Sequence, residues 1–238
     1  MARIRLLAVL LGTVMTAAIA VPAAAAQAPA APAAPAGVTA HVWVTTPDGT
    51  DKLTPLAPAT FAPAMGSIAP SAPAIVVDPT LTYQTMQGFG GAITDSSATV
   101  LYRLSPAARA ATMRSLFDPV SGDGLDYLRQ PIGASDFVAT ADYTYDDLPA
   151  GQTDYAQSHF SVQHDQTQIL PLLRQAKALN PRLQIIATPW SPPAWMKTNG
   201  SLIGGRLIDD PRIYRSYALY LLKFVEAYRA NGVTVNAI

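Results

Sequence analysis

The chain has 238 residues, with 16 Lys and Arg against 16 Asp and Glu, so it carries no net charge. That balance excludes the basic surplus that nucleic-acid or anionic-membrane binding needs. Half of the residues are apolar and 13% are charged, enough for a real core, and the lack of cysteine excludes disulfide scaffolds, thiol catalysis and Cys-ligated metals.

Taken in chain order, Arg3 and Arg5 precede an uncharged apolar run, Leu6 to Ala20, and Ala24-Ala25-Ala26 offers a small-residue cleavage site before Gln27. This is the plan of a secretory signal peptide over residues 1–26. The run is short for a membrane span, which needs roughly 20 apolar residues. The expectation is a secreted, extracellular protein with no integral membrane segment after signal cleavage. An uncleaved anchor is the alternative, and either way the rest faces outside. Residues 27–37 alternate Ala with Pro29, Pro32 and Pro35, which reads as an extended linker. Residues 38–85 read as a β-rich segment. Val38 to Thr45 alternates and runs into the turn Pro47-Asp48-Gly49, and Ile75-Val76-Val77 is a further short strand.

From residue 86 the texture changes. Met86 to Ile93, with Gly88, Gly90 and Gly91, predicts a short strand. Ser105-Pro106 starts a helix that runs to about Phe117, with Ser as cap and Pro in the first position. Leu125 to Ile132 predicts a second strand, followed by a long polar and aromatic loop from Asp136 to about Gln163. Ile169 to Leu179 is an amphipathic helix, ended by Asn180-Pro181. Leu183 to Thr188 predicts a third strand, apolar enough to be buried on both faces. Pro211 opens a helix striped by Ile213, Tyr217, Tyr220, Leu221, Phe224 and Tyr228, which Asn231-Gly232 stops. Val233 to Ile238 begins a fourth strand. Alternating strand and helix predict a parallel α/β sheet with right-handed crossovers, either doubly wound or a (β/α)8 TIM barrel. No G-x-G-x-x-G follows the first strand, and the long loops after strands two and three favour the barrel.

In a barrel, chemistry sits at the C-terminal strand ends. Three clusters fall there. Gly88 to Asp95 suggests close backbone approach to a ligand with Asp95 facing a pocket, or a tight turn in which Thr94 or Asp95 caps the next helix. In the second, Arg129 inside an apolar strand needs a partner, either a loop carboxylate or a catalytic carboxylate that it orients. Asp136 follows at the strand end, where it could accept bonds from sugar hydroxyls. In the third, Trp190 and Trp195 lie in a Pro-rich loop, where an indole can stack on the C–H face of a pyranose or pack under the loop. His41, His159 and His164 show no ligand spacing, so no metal or other cofactor is expected, and no G-x-S-x-G elbow supports a serine triad.

At these clusters the sequence resembles glycoside hydrolase family 30, the glucosylceramidase-like family. The matching words are Gln87 to Asp95, Tyr127 to Phe137, Tyr143-Thr144-Tyr145-Asp146-Asp147, Pro189 to Asn199, and Val235-Asn236-Ala237-Ile238. The resemblance implies a retaining β-glycosidase on a TIM barrel, acting on a β-linked glucoside or glucan on the glucosylceramidase or β-1,6-glucanase side of the family. It implies that residues 86–238 hold about the first half of the barrel, strands one to four, and that residues 38–85 belong to a side β-sandwich. By carry-over, Asp136, Phe137, Trp190 and Trp195 bind substrate, and Arg129 and Asp95 support the site.

The family's chemistry needs two glutamates. Of the 16 acidic residues here 15 are Asp, and Glu226 lies mid-helix on a flank expected to be solvated. The expectation is therefore that both catalytic glutamates belong beyond Ile238, that this stretch carries no catalytic residue, and that its fourth strand is an open, aggregation-prone edge. The alternatives are a non-hydrolytic carbohydrate-binding remnant and an inactive pseudogene product.

Overall fold

The computed structural model describes residues 37–60 and 78–238, in two units divided between Gln84 and Thr85. The predicted signal peptide, most of the linker and the Ile75-Val76-Val77 strand lie outside the described residues. Among the described residues no helix is long and apolar enough to cross a membrane.

In the first unit the predicted strand and turn form a narrow antiparallel ladder. β1 (Thr39–Ala40) pairs with β4 (Ala59–Thr60), and β2 (Trp43–Val44) pairs with β3 (Thr54–Pro55). The turn is built as its residue types require. Gly49 takes φ 71°, and the Asp48 carboxylate accepts the Thr50 amide at 3.1 Å.

The second unit alternates helix and strand. Thr94 caps α1 (Asp95–Arg103), its hydroxyl accepting the Ser97 amide at 3.2 Å. Ser105 caps α2 (Pro106–Phe117) in the same way through the Ala108 amide, with Pro106 in the first turn as the sequence suggests. β5 (Tyr127–Ile132) follows, then α3 (Ile169–Leu179), β6 (Gln184–Pro189) and α4 (Pro211–Ala230). Asp210 caps α4, and Gly232 at φ 77° lies just past its end.

β5 and β6 pair in parallel, Arg129 opposite Ile186. The first predicted strand is reduced to an extended segment at β5's free edge, with a parallel bridge from Ala92 to Arg129 and the Arg129 amide donating to Gly91 at 2.8 Å. The fourth is likewise a short rung, Ala237 beside Ile186. Four parallel segments thus lie side by side in chain order. A doubly wound sheet reverses its order at a switch point; a (β/α) barrel does not.

The glycines of the first segment find a specific use. A Cβ on Gly90 would lie 1.4 Å from the Tyr127 carbonyl oxygen. The close approach anticipated at this cluster is made to the neighbouring strand.

One face of the sheet is dry. Leu128, Ile132, Ile185 and Ala187 are all 1% exposed or less and share one core with Met113, Phe117, Leu172, Leu173, Tyr220 and Phe224 from the helices. Full burial of such a side chain is worth about 1.5–3 kcal/mol. On the other face Tyr127, Arg129, Ile186 and Thr188 are only partly buried. Within residues 86–238 the helices cover one face of the third strand, and Ile186 on the other face, which is the interior side of a barrel, is partly buried.

Candidate functional site

The strand ends carry the polar and aromatic residues. β5 leaves the sheet through Gly133 at φ 81°, where a Cβ would meet the Tyr143 carbonyl oxygen at 2.9 Å. Asp136 and Phe137 follow in a short turn held by the Ser135 hydroxyl, which accepts the Phe137 amide at 3.2 Å. Asp136 is exposed and Phe137 is 62% exposed, an open position for a large apolar ring.

The start of α1 fixes this turn from behind. The Ser96 amide donates to the Phe137 carbonyl at 3.0 Å, and the Asp95 carboxylate accepts the Ala139 amide at 2.7 Å. Of the two readings of this cluster, the cap falls to Thr94, and Asp95 is a brace for the loop that carries Asp136.

Sequence reasoning missed the group behind that brace. His164 has Nε2 3.5 Å from Asp95 and Nδ1 3.2 Å from Asp165, and its ring stacks on Tyr143 with centroids 3.8 Å apart. Its pKa is raised, chiefly by the hydrogen bond to Asp165, with burial opposing and the charges of Asp165 and Asp95 adding. Asp165 is fully buried and accepts the hydroxyls of Tyr145 and Tyr228, each at 2.6 Å. Burial pushes both phenols well above their ordinary range, helped next by the neighbouring Tyr228 and then Asp165 for Tyr145, and by Asp165 for Tyr228. The loop after β5 is thereby tied to α4. Read locally, it is polar with scattered aromatics, and only the fold brings Tyr145 and Tyr228 to one acceptor.

At the end of β6, Trp190 is half-buried and follows directly on the strand. Below it Arg129 donates from Nε to the Thr188 hydroxyl at 2.7 Å. Among the described residues no carboxylate lies within ion-pair distance of this guanidinium, so of the two partners anticipated the loop carboxylate is not found, and a hydroxyl holds the group instead. Trp195 donates its indole N–H to Asp146, 3.2 Å to the carbonyl oxygen and 3.1 Å to the carboxylate, and meets Tyr155 edge-on. It stitches the loop after β6 to the loop after β5, and its donor is already engaged. Lys197, 8% exposed, donates to the Ser191 hydroxyl and the Leu202 carbonyl, holding the same loop closed; burial lowers its pKa.

Under Trp195 the fold also assembles Asp146, Asp154 and His159, whose ligand-type atoms all lie within 4.8 Å of one another. No motif spacing announces this group. Burial pushes Asp146 up to about 6, while the indole hydrogen bond opposes that rise and the Asp154 charge adds to it. Asp154 is pulled well down despite its burial by the His159 and Ser158 amides and the Ser158 hydroxyl. Glu226, by contrast, is exposed on α4.

Parallel strands in chain order define a (β/α)-barrel domain, a fold whose sites sit in the strand-end loops, and here those loops carry Asp136, Phe137 and Trp190. Residues 86–238 match the family model described as the glycosyl hydrolase family 30 TIM-barrel domain, and the chain belongs to that family. It is 37% identical over 157 residues to an endo-1,6-beta-D-glucanase of Neurospora crassa, which covers 65% of this chain and 32% of that protein. It is 34% identical over 171 residues to the lysosomal acid glucosylceramidase of Mus musculus, covering 69% of this chain and 32% of that one. A solved endo-beta1,6-glucanase superposes with a TM-score of 0.63 at 32% identity, over 84% of this chain and 42% of its own. The chain thus spans about a third of the length of these two curated relatives. The family expected from the motif words is the family these matches show.

Proposed function

We propose that this stretch forms the sugar-holding part of a secreted, retaining β-glycosidase that acts on β-linked glucose, in a β-1,6-glucan or a β-glucoside. The observation that carries the reading is the open edge where Asp136, Phe137 and Trp190 end adjacent parallel strands, braced from behind by Asp95 and His164. The exposed Phe137 ring and the half-buried Trp190 ring offer the C–H face of a glucose a surface, and the Asp136 carboxylate offers acceptors to its hydroxyls. Arg129, fixed by Thr188 on the same face of the sheet, is placed to support a carboxylate above it. Trp195 contributes by holding Trp190's loop in place. The substrate class follows the relatives' names, a glucanase and a glucosylceramidase.

Retention requires two carboxyl groups roughly 5–5.5 Å apart flanking the bond. In this reading neither is supplied by residues 86–238, which form the first four strands of the barrel, and residues 38–85 contribute to a side β-sandwich. Export follows from the signal-like residues 1–26.

The test is to titrate the chain with β-1,6-gluco-oligosaccharides while assaying reducing-sugar release. The expected result is saturable binding with no product. Product formation by this chain overturns the assignment of catalysis to other residues, and failure to bind overturns the sugar site. Export is checked by the N-terminus of the protein recovered from culture supernatant, expected at Gln27.

A further inference from the structure

We propose that Asp146, Asp154 and His159 form a site for a divalent cation of the zinc class, which clamps the loop after β5 beneath the loop after β6. The inference stands apart from the sugar site. Asp154 Oδ2 and His159 Nδ1 are 3.0 Å apart. That is a hydrogen-bond distance; neighbouring ligands of a tetrahedral metal with bonds of about 2.0–2.2 Å stand roughly 3.3–3.6 Å apart, so a slight opening of the pair admits the ion. A carboxylate oxygen of Asp146 lies within 4.8 Å of both, so a small rotation brings in a third ligand.

An independent observation points to a missing ligand. Asp146 is 1% exposed, its Oδ2 accepts the Trp195 indole, and its Oδ1 has no hydrogen-bond partner among the described residues. A buried carboxylate oxygen with nothing to bind is costly. Among the described residues neither Asp146 nor Asp154 has a Lys or Arg within ion-pair distance, and the one basic side chain at that distance is the His159 imidazole, on Asp154. A divalent cation would fill the vacant oxygen and offset two carboxylates at once.

The donor set selects the class. Two carboxylates and one imidazole suit zinc and its first-row neighbours, whereas calcium and magnesium prefer oxygen alone. The site is also prepared around its ligands. Asp154 is oriented by the His159 amide at 2.7 Å and the Ser158 hydroxyl at 2.9 Å, and Asp146 by the Trp195 indole. Such outer bonds aim metal ligands. The His159 side chain is 68% exposed, which gives the cation a path in and leaves a position open to water.

The test uses the intact chain, dialysed free of metal and then equilibrated with Zn2+, and with Co2+ as a visible-absorption probe. The expected result is one equivalent retained, Co2+ bands of a nitrogen- and oxygen-ligated ion, and a melting temperature raised by several degrees at saturation. His159→Ala should bind Zn2+ at least about tenfold more weakly and lose the metal-dependent rise in melting temperature, measured against its own metal-free melt. Asp146→Asn should do the same to binding. Zn2+ retention unchanged in both variants, or no Zn2+ retained by the wild type, overturns the proposal; in the second case Asp146 is a neutral, protonated acid.

Discussion

The two faces of the sheet are made by alternate residues of the same strands, yet they differ in almost every property. Leu128, Ile132, Ile185 and Ala187 are sealed under helices, while Arg129, Ile186 and Thr188, one residue along, remain partly open. The sealed face is held by apolar area and tolerates little change. The open face holds a guanidinium on a hydroxyl and leads up to Trp190, Asp136 and Phe137 at the strand ends. On the proposed reading, the pleat of a strand separates residues that build the fold from residues that lead up to the sugar-binding strand ends. Substitutions should sort accordingly, those beneath the sheet and in its pairings affecting stability, those at the strand ends affecting affinity alone.

The largest effect is expected from Gly90→Ala. A Cβ there would collide with the Tyr127 carbonyl at 1.4 Å, so the first segment must leave β5. We expect a loss of about 4 kcal/mol or more in urea unfolding, which for a chain of ordinary stability means a largely unfolded protein. A melt like that of the wild type would show that this pairing is not as described. Next comes Asp165→Ala, which strands two buried tyrosine hydroxyls and should cost about 3 kcal/mol by the same measurement. Asp165→Asn keeps an acceptor and should cost less.

Trp190→Ala sharpens the comparison from the other side. Its expected effect is a roughly tenfold loss of gluco-oligosaccharide affinity, about 1.4 kcal/mol, with the melting temperature unchanged. The smallest effect concerns pH. His164 has a folded pKa above its unfolded value, so folding takes up protons. Its contribution is complete below the unfolded value of about 6.5 and fades as pH rises through the higher folded value. The melting temperature should therefore fall slightly between pH 6 and 8, and His164→Gln should flatten that slope.

Much of this architecture was legible in the chain. Ser105-Pro106, Ile169 to Leu179 and Asn231-Gly232 set helix limits through caps, periodicity and stop residues, all local chemistry. What the sequence could not yield were groupings made by distant segments. Asp165 gathers Tyr145 and Tyr228 across the loop and α4, and Asp95 reaches forward to Ala139. Trp195 shows the limit at the site itself. Its place in a Pro-rich strand-end loop points to sugar stacking or packing, and only the fold reveals that its N–H is given to Asp146. Arg129 had to find a partner, but hydrogen-bonding capacity alone does not distinguish a carboxylate from the Thr188 hydroxyl opposite.

The most direct test of the central claim, that recognition sits on the strand ends beside Trp190, is a fluorescence titration. Wild type and Trp190→Phe are compared with increasing β-1,6-gluco-oligosaccharide. Of the three tryptophans, Trp43 lies in the separate β unit and Trp195 has its indole N–H bound to Asp146. The account predicts a saturable sugar-dependent change in the wild type that is lost in Trp190→Phe. An unchanged response in that variant would place the sugar elsewhere and contradict it.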